Sequence, residues 1–477
     1  ATDTITVNAA AISDNVLLSI AGAGNFAVTN LIGDLSSTAN GGAISITTAD
    51  VATQTIALGS GTAGTRTINT TAMTDGNVLT LTGAGAATVT LSAGDLAAGS
   101  YTGDLTVTTG SGESSIVTGS GNDSVTMAVS ASDIDAINAG DGNDTLVLTG
   151  AATGDVTIDL SVATDADQLT LINGATENLF QSNFENVDAS AMTGGGLIAW
   201  ARALGSRIIG SAQADTIHSG SGADTLEGRA GNDTFVLNAT TDLVAGESID
   251  GGIGTDAIRL DAGGAGTYDF TTTGSVSNVE QLAINANEAF TIKLSDNFNS
   301  NDGSVEVTNL TGSAITNAIS IDASAFTGGN AALNVSATDF DGNDTFIGTS
   351  NADTINAGGG ADTISGNGGA DVINAGAGAD VIRLTQAQLA QAAAINGGTD
   401  ADIDTILITE PSATITDANF AIVTGIERLQ LTGANTLVLG STAAAAGIGT
   451  IVLGNGDTSI TLNDGVTMTI DAAALPD

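Results

Sequence analysis

The 477 residues include 53 acidic and 8 basic side chains, for a formal charge of −45, with 64 glycines, two prolines, no cysteine and 3% aromatics. Such a charge excludes nucleic acid as a partner and docking on an anionic membrane surface, and the lack of any 18-residue apolar run excludes insertion of a spanning helix. Apolar residues are nevertheless spaced regularly, which argues against a disordered acidic chain. The composition fits a thin β core of Val, Ile, Leu and Ala whose surplus charge is neutralised by bound cations.

Residues 1–118 read as a duplicated β-rich segment. Residues 14–48 and 75–109 repeat without a gap: DNVLLSIAGAG becomes DGNVLTLTGAG, and GGAISITT becomes TGDLTVTT. Leu, Ile and Val alternate with Thr and Ser, the period-2 signature of strands. The turn Gly59-Ser60-Gly61-Thr62 lacks the aspartate that Gly119-Ser120-Gly121-Asn122-Asp123 carries, so cation sites are expected to begin near residue 119. The first ten residues show neither the basic nor the apolar stretch of an export leader.

Three glycine-rich blocks follow, dividing the rest of the chain into 119–207, 208–340 and 341–477. In the first, turns containing Gly119, Gly121, Gly140 and Gly142 end on Asp123 and Asp144. In the second, Asp215, Asp224 and Asp233 are nine residues apart, with Gly220, Gly222 and Gly231 in their turns; after an insert, Gly252 and Gly254 lead to Asp256. The third is the most regular. Asp344, Asp353, Asp362, Asp371 and Asp380 keep an interval of nine, with Gly342, Gly358, Gly360, Gly369, Gly376 and Gly378 between them. Its closing turn, INGGTDADIDTILI, has two extra residues, which leaves Asp402 and Asp404 as alternative ligands. The insert TQAQLAQAAA (385–394) has helix-forming composition.

The chemistry of the nonapeptide follows from its residues. Glycines allow a tight turn whose carbonyls face one point. The three residues after it form a short strand, and alternation sends Phe346, Ile355, Ile364, Ile373 and Ile382 inward. Two nonapeptides make one coil, so Asp344, Asp362 and Asp380 line one edge and Asp353 and Asp371 the other. Carbonyl and carboxylate oxygens in a flexible cage suit Ca²⁺ better than Mg²⁺. The G-G-x-G-x-D-x-U-x pattern resembles the RTX family of calcium-binding parallel β-rolls. That resemblance implies an all-β fold, a right-handed parallel β-solenoid with calcium blocks and small inserts, and export through a type I secretion system.

A shorter phrase recurs outside the blocks: VNAAAI at 7–12, INTTAM at 68–73, VDASAM at 187–192, IDASAF at 321–326 and IDAAAL at 470–475. Each combines an inward β-branched residue, an Asn or Asp suited to an Asx-turn, and an apolar plug, as at a packing corner. Glutamate-anchored strands recur beside the blocks, as Phe184-Glu185-Asn186-Val187, Val279-Glu280-Gln281-Leu282 and Ile426-Glu427-Arg428-Leu429. Phrase, strand and block together resemble the calcium-dependent S-layer proteins of Gram-negative bacteria. The resemblance implies an extracellular structural protein that self-associates into a surface lattice through calcium, with a cell-surface polysaccharide as its candidate anchor. A large secreted adhesin of the same class is the alternative. No catalytic residues are expected: His218 is the sole histidine and reads as a solvated strand residue, and no G-x-S-x-G elbow occurs. The segment Leu197–Ile209 holds the one Trp and reads as a packed corner. Because the last phrase is not followed by a block, the sequence is expected to be part of a longer chain with a further calcium block downstream.

Overall fold

A computed structural model describes residues 3–60, 64–129, 136–160, 169–173, 178–261, 264–272, 274–299, 303–327, 332–336, 339–456, 458–463 and 465–473. Gly61 and Thr62 of the aspartate-free turn, and Leu475 of the last phrase, lie outside these residues. The chain divides into two compact units, Ala1–Thr234 and Phe235–Asp477. Each is a parallel β-solenoid. Among the described residues, no helix is long and apolar enough to cross a membrane.

In the first unit successive strands alternate between two sheets, so a pair of strands makes one coil. Strands such as Ile44–Thr48, Arg66–Asn69, Ala87–Thr90 and Leu105–Thr108 stack parallel in one sheet. Thr53–Leu58, Val78–Gly83, Asp95–Ala97 and Ser115–Val117 stack in the other. The register places like on like. Ile46, Ile68, Val89, Val107, Val125, Leu146, Val187, Ile208 and Leu226 form one continuous column, and none is more than 1% exposed. β-branched side chains suit such a column because they are stiff at χ1 and fill the pleat of a parallel ladder. An antiparallel excursion, Leu169–Asn173 against Asn178–Ser182, interrupts the coils and was not legible in the sequence.

The second unit repeats the design with shorter strands. Its column runs Ile292, Ile321, Phe346, Ile364, Ile382, Ile406, Leu429, Ile451 and Ile470. The facing sheet stacks Val335, Ile355, Ile373 and Ile395. All five inward residues expected in the third block are fully buried. The 385–394 insert forms the helix Gln386–Gln391, with Thr385 capping it and Leu389 buried. A capping box, Thr385 to the Gln388 N–H and Gln388 back to Thr385, sets where it begins.

The recurring short phrase forms an Asx-turn in all five copies. Asn8, Asn69, Asp188, Asp322 and Asp471 each accept, through Oδ1, the N–H two residues on, at 2.9–3.1 Å. The plugs Met73, Met192 and Phe326 are buried, and Ile12 is half-buried. His218 is more than a solvated strand residue. It stacks on Trp200 at 4.5 Å between ring centroids with 14° between planes, because Ala199–Ile217 register sets the two rings on adjacent strands of one face.

Candidate metal centre: aspartate ladders at the solenoid edges

The turns stack in register, and their aspartates form hydrogen-bonded ladders. On one edge of the second unit, the Ile319 N–H donates to Asp344 Oδ1 (2.7 Å), the Asp344 N–H to Asp362 (2.8 Å), and the Asp362 N–H to Asp380 (2.8 Å). The Asp380 N–H continues to Asp404 (2.9 Å). The opposite edge carries Leu333 to Asp353 (2.7 Å) and Asp353 to Asp371 (3.0 Å). The two-edge arrangement expected from the nine-residue interval is the one observed. Asp404 takes the rung in the closing turn. Asp402 is exposed and donates its own N–H to Asp400.

The first unit has the same geometry. Leu105 donates to Asp123 (2.7 Å), and Asp123 to Asp144 (2.6 Å). Elsewhere Leu197 donates to Asp215 (2.6 Å), Asp215 to Asp233 (2.8 Å), and Ser206 to Asp224 (2.7 Å). In the second unit Asp256 sits in the same kind of turn and is fully buried. None of the ladder aspartates is more than 2% exposed.

One oxygen of each carboxylate is thus held by a neighbouring coil, and the second oxygen sorts the rungs into two kinds. In Asp144, Asp344, Asp362 and Asp380 the buried Oδ2 has no hydrogen-bond partner. In others the turn itself supplies a donor. The Thr349 N–H (2.7 Å) serves Asp353, the Ser211 N–H (2.8 Å) Asp215, the Gly220 N–H (2.9 Å) with the Ser219 hydroxyl Asp224, and the Gly119 N–H (3.2 Å) Asp123. A buried carboxylate oxygen without a donor costs several kcal/mol unless a cation meets it. Burial accordingly pushes the acids up. Asp362 rises to about 8, with Asp344 and Asp380 adding their like charge. Asp144, Asp371 and Asp404 rise to about 7, and Asp344, Asp380, Asp353 and Asp215 to about 6.

Glycine makes the stacking possible. A Cβ on Gly376 (φ +115°) would lie 1.9 Å from the Gly358 carbonyl oxygen, and one on Gly378 (φ +123°) 1.8 Å from that of Gly360. Carbonyl oxygens therefore occupy the space where side chains would be. Gly140, Gly142, Gly231, Gly252, Gly358, Gly360 and Gly369 share the positive φ. Gly119, Gly121, Gly220, Gly222 and Gly342 keep negative or extended φ but abut the preceding coil, where a Cβ would meet backbone at 1.9–2.5 Å. Gly254 is exposed in its turn.

Among the described residues, no group of three or more His, Asp or Glu side chains could hold an ion by itself. A cation would instead take one or two aspartates together with turn carbonyls, an all-oxygen donor set. The orphaned Oδ2 atoms and the carbonyl-filled glycine cradles fit a hard cation such as calcium. Asp144, Asp344, Asp362 and Asp380 are among the side chains with a carboxylate oxygen to offer. What sequence reading missed is that three ladders end at Glu185, Glu280 and Glu427, and that the hydroxyls of Ser211, Ser219 and Thr349 bond to the aspartates of their own turns.

Fold and site together define a parallel β-roll whose buried acidic edges are built for cations. The RTX calcium-binding nonapeptide repeat model matches this chain in four copies, at residues 131–149, 206–242, 339–373 and 347–382. The chain thus carries RTX calcium-binding repeats, and they cover the turns of Asp144, Asp215, Asp224, Asp233 and the five aspartates from Asp344 to Asp380, while Asp123, Asp256 and Asp404 lie outside the matched ranges. A search of curated proteins finds no relative that matches.

Proposed function

We propose that this chain is a calcium-folded extracellular structural protein of a bacterial surface layer. The observation that carries the reading is the distribution of charge. A formal charge of −45 is split between buried ladder carboxylates and an acidic exterior, so both folding of a copy and its approach to another require a multivalent cation. Exposed apolar side chains support contact between copies: Leu204 is 86% exposed, Ile253 78% and Leu310 52%. Secretion accords with the RTX repeats, which are typical of exported proteins. Purified chain imaged by negative-stain electron microscopy in millimolar calcium is expected to form a two-dimensional lattice that chelator dissolves. Isolated rods in calcium would favour a secreted adhesin instead.

A further inference from the structure

Three of the aspartate ladders end on a glutamate, and these three ends share one design. The Asp144 N–H donates to Glu185 Oε2 (2.6 Å), the Asp256 N–H to Glu280 Oε2 (2.9 Å), and the Asp404 N–H to Glu427 Oε2 (2.9 Å). These contacts repeat the aspartate-to-aspartate rungs. The register repeats them too: Thr145 pairs with Asn186, Ala257 with Gln281 and Thr405 with Arg428, so each glutamate occupies the place of the next aspartate. The aspartate carbonyl then accepts two N–H groups, from the glutamate and the residue after it, at 3.0–3.2 Å in all three.

The terminal turn is nevertheless not an RTX turn. Two residues before the glutamate stands a left-handed residue, Asn183 (φ 61°), Asn278 (φ 55°) or Gly425 (φ 64°). One residue before it, Phe184, Val279 or Ile426 is buried, whereas the matching Asn143, Asn343 and Ala361 of RTX turns are exposed. The apolar residue plugs the coil where a glycine turn would otherwise continue the stack, and the longer acid still reaches the preceding rung. At the first of these ends Asp144, which links the Asp123 rung to Glu185, is fully buried and its Oδ2 has no hydrogen-bond partner.

We propose that Glu185, Glu280 and Glu427 are terminal metal ligands, each closing with the last aspartate of its ladder a calcium site of mixed Asp/Glu composition. The proposal rests on the calcium reading above. Glu185 also holds the Arg202 guanidinium through Oε1, so its site should be the weakest of the three. The alternative is a purely structural cap that only accepts a hydrogen bond. Glutamine separates the two, because it keeps an acceptor oxygen and removes the charge.

The test is calcium stoichiometry of the full chain, by isothermal titration with calcium chloride and by atomic emission after dialysis. Glu427→Gln and Glu280→Gln are each expected to lose one ion, and Asp362→Asn, the control, up to two. Glu427→Asp keeps the charge and should retain the ion at about tenfold weaker affinity. Should Glu427→Gln fail to fold in calcium by circular dichroism, Glu427→Asp failing equally would contradict the ligand role, and its folding with a full ion count would support it. Unchanged stoichiometry and affinity in both glutamine variants, with loss in Asp362→Asn, would overturn the proposal and leave the calcium reading intact. No calcium bound by the unaltered chain would overturn both.

Discussion

The coils of residues 3–118 and those of 341–404 follow one path and are held in different ways. In the early coils strands such as Ile44–Thr48, Val78–Gly83 and Leu105–Thr108 send two apolar side chains inward: Ile44 and Ile46, Leu79 and Leu81, Leu105 and Val107. In the RTX coils strands of three residues send in one, with the pattern half-buried, buried, half-buried. The early coils also use aspartate as an acceptor from the next coil, at Asp34 from Thr55, Asp95 from Ser115 and Asp104 from Asn122, 2.7–2.9 Å. Those aspartates are half-buried or exposed. The carboxylate rung is therefore a general device of this solenoid. What the RTX coils add is burial, and burial turns a hydrogen-bond acceptor into a charge that needs a cation.

Mutations can break that contrast. The largest effect is expected for Asp362→Asn, whose carboxylate lies between two others in the ladder. The calcium concentration at half-folding of the third block should rise by on the order of tenfold or more, equivalent to about 1.4 kcal/mol, in titrations followed by circular dichroism. Asp353→Asn should shift it much less, because Thr349 already serves that carboxylate. Equal shifts would remove the distinction between the two kinds of rung.

Core truncation comes next. Ile68→Ala should cost about 2–5 kcal/mol in denaturant melts, by the same amount with calcium or chelator. Ile364→Ala should instead raise the calcium required for folding, since its coil has little other core. A calcium-independent Ile364→Ala would argue that the RTX coils stand on apolar packing alone.

A smaller effect is expected with pH in the absence of metal. Burial raises several ladder acids above the ordinary 3.8: Asp215, Asp344, Asp353 and Asp380 to about 6, Asp144, Asp371 and Asp404 to about 7, and Asp362 to about 8. A raised carboxyl value means the native fold binds more protons than the unfolded chain. The contribution is therefore fully present below pH 4 and lost as pH rises through 6–8. In chelator the RTX coils should gain β signal on acidification from pH 9 to 5 while residues 3–118 stay unchanged. A loss of signal over that window would reverse the sign of the argument.

How much of this was legible in the sequence differs by feature. The nine-residue interval and the inward Phe346, Ile355, Ile364, Ile373 and Ile382 define coil, register and edge, because a period-2 strand and a fixed turn leave no freedom. Asp402 and Asp404 could not be ranked, since two extra residues erase the interval and only the rung to Asp380 decides. The glutamate ends were visible as a recurring strand, but their turns do not carry the nonapeptide glycine pattern that marks a ligand position. Which Oδ2 is left open depends on whether a backbone N–H four residues upstream, as at Gly119, Ser211, Gly220 and Thr349, folds back onto its own aspartate. That is a matter of local geometry that no interval encodes.

Hydrogen–deuterium exchange, read peptide by peptide in calcium and after chelation at pH 7.5, tests the central claim most directly. Amides of residues 344–404 should be protected in calcium and exchange within seconds in chelator, while those of residues 44–107 stay protected in both. Protection of 344–404 that survives chelation, or loss of protection in both regions together, would contradict the account.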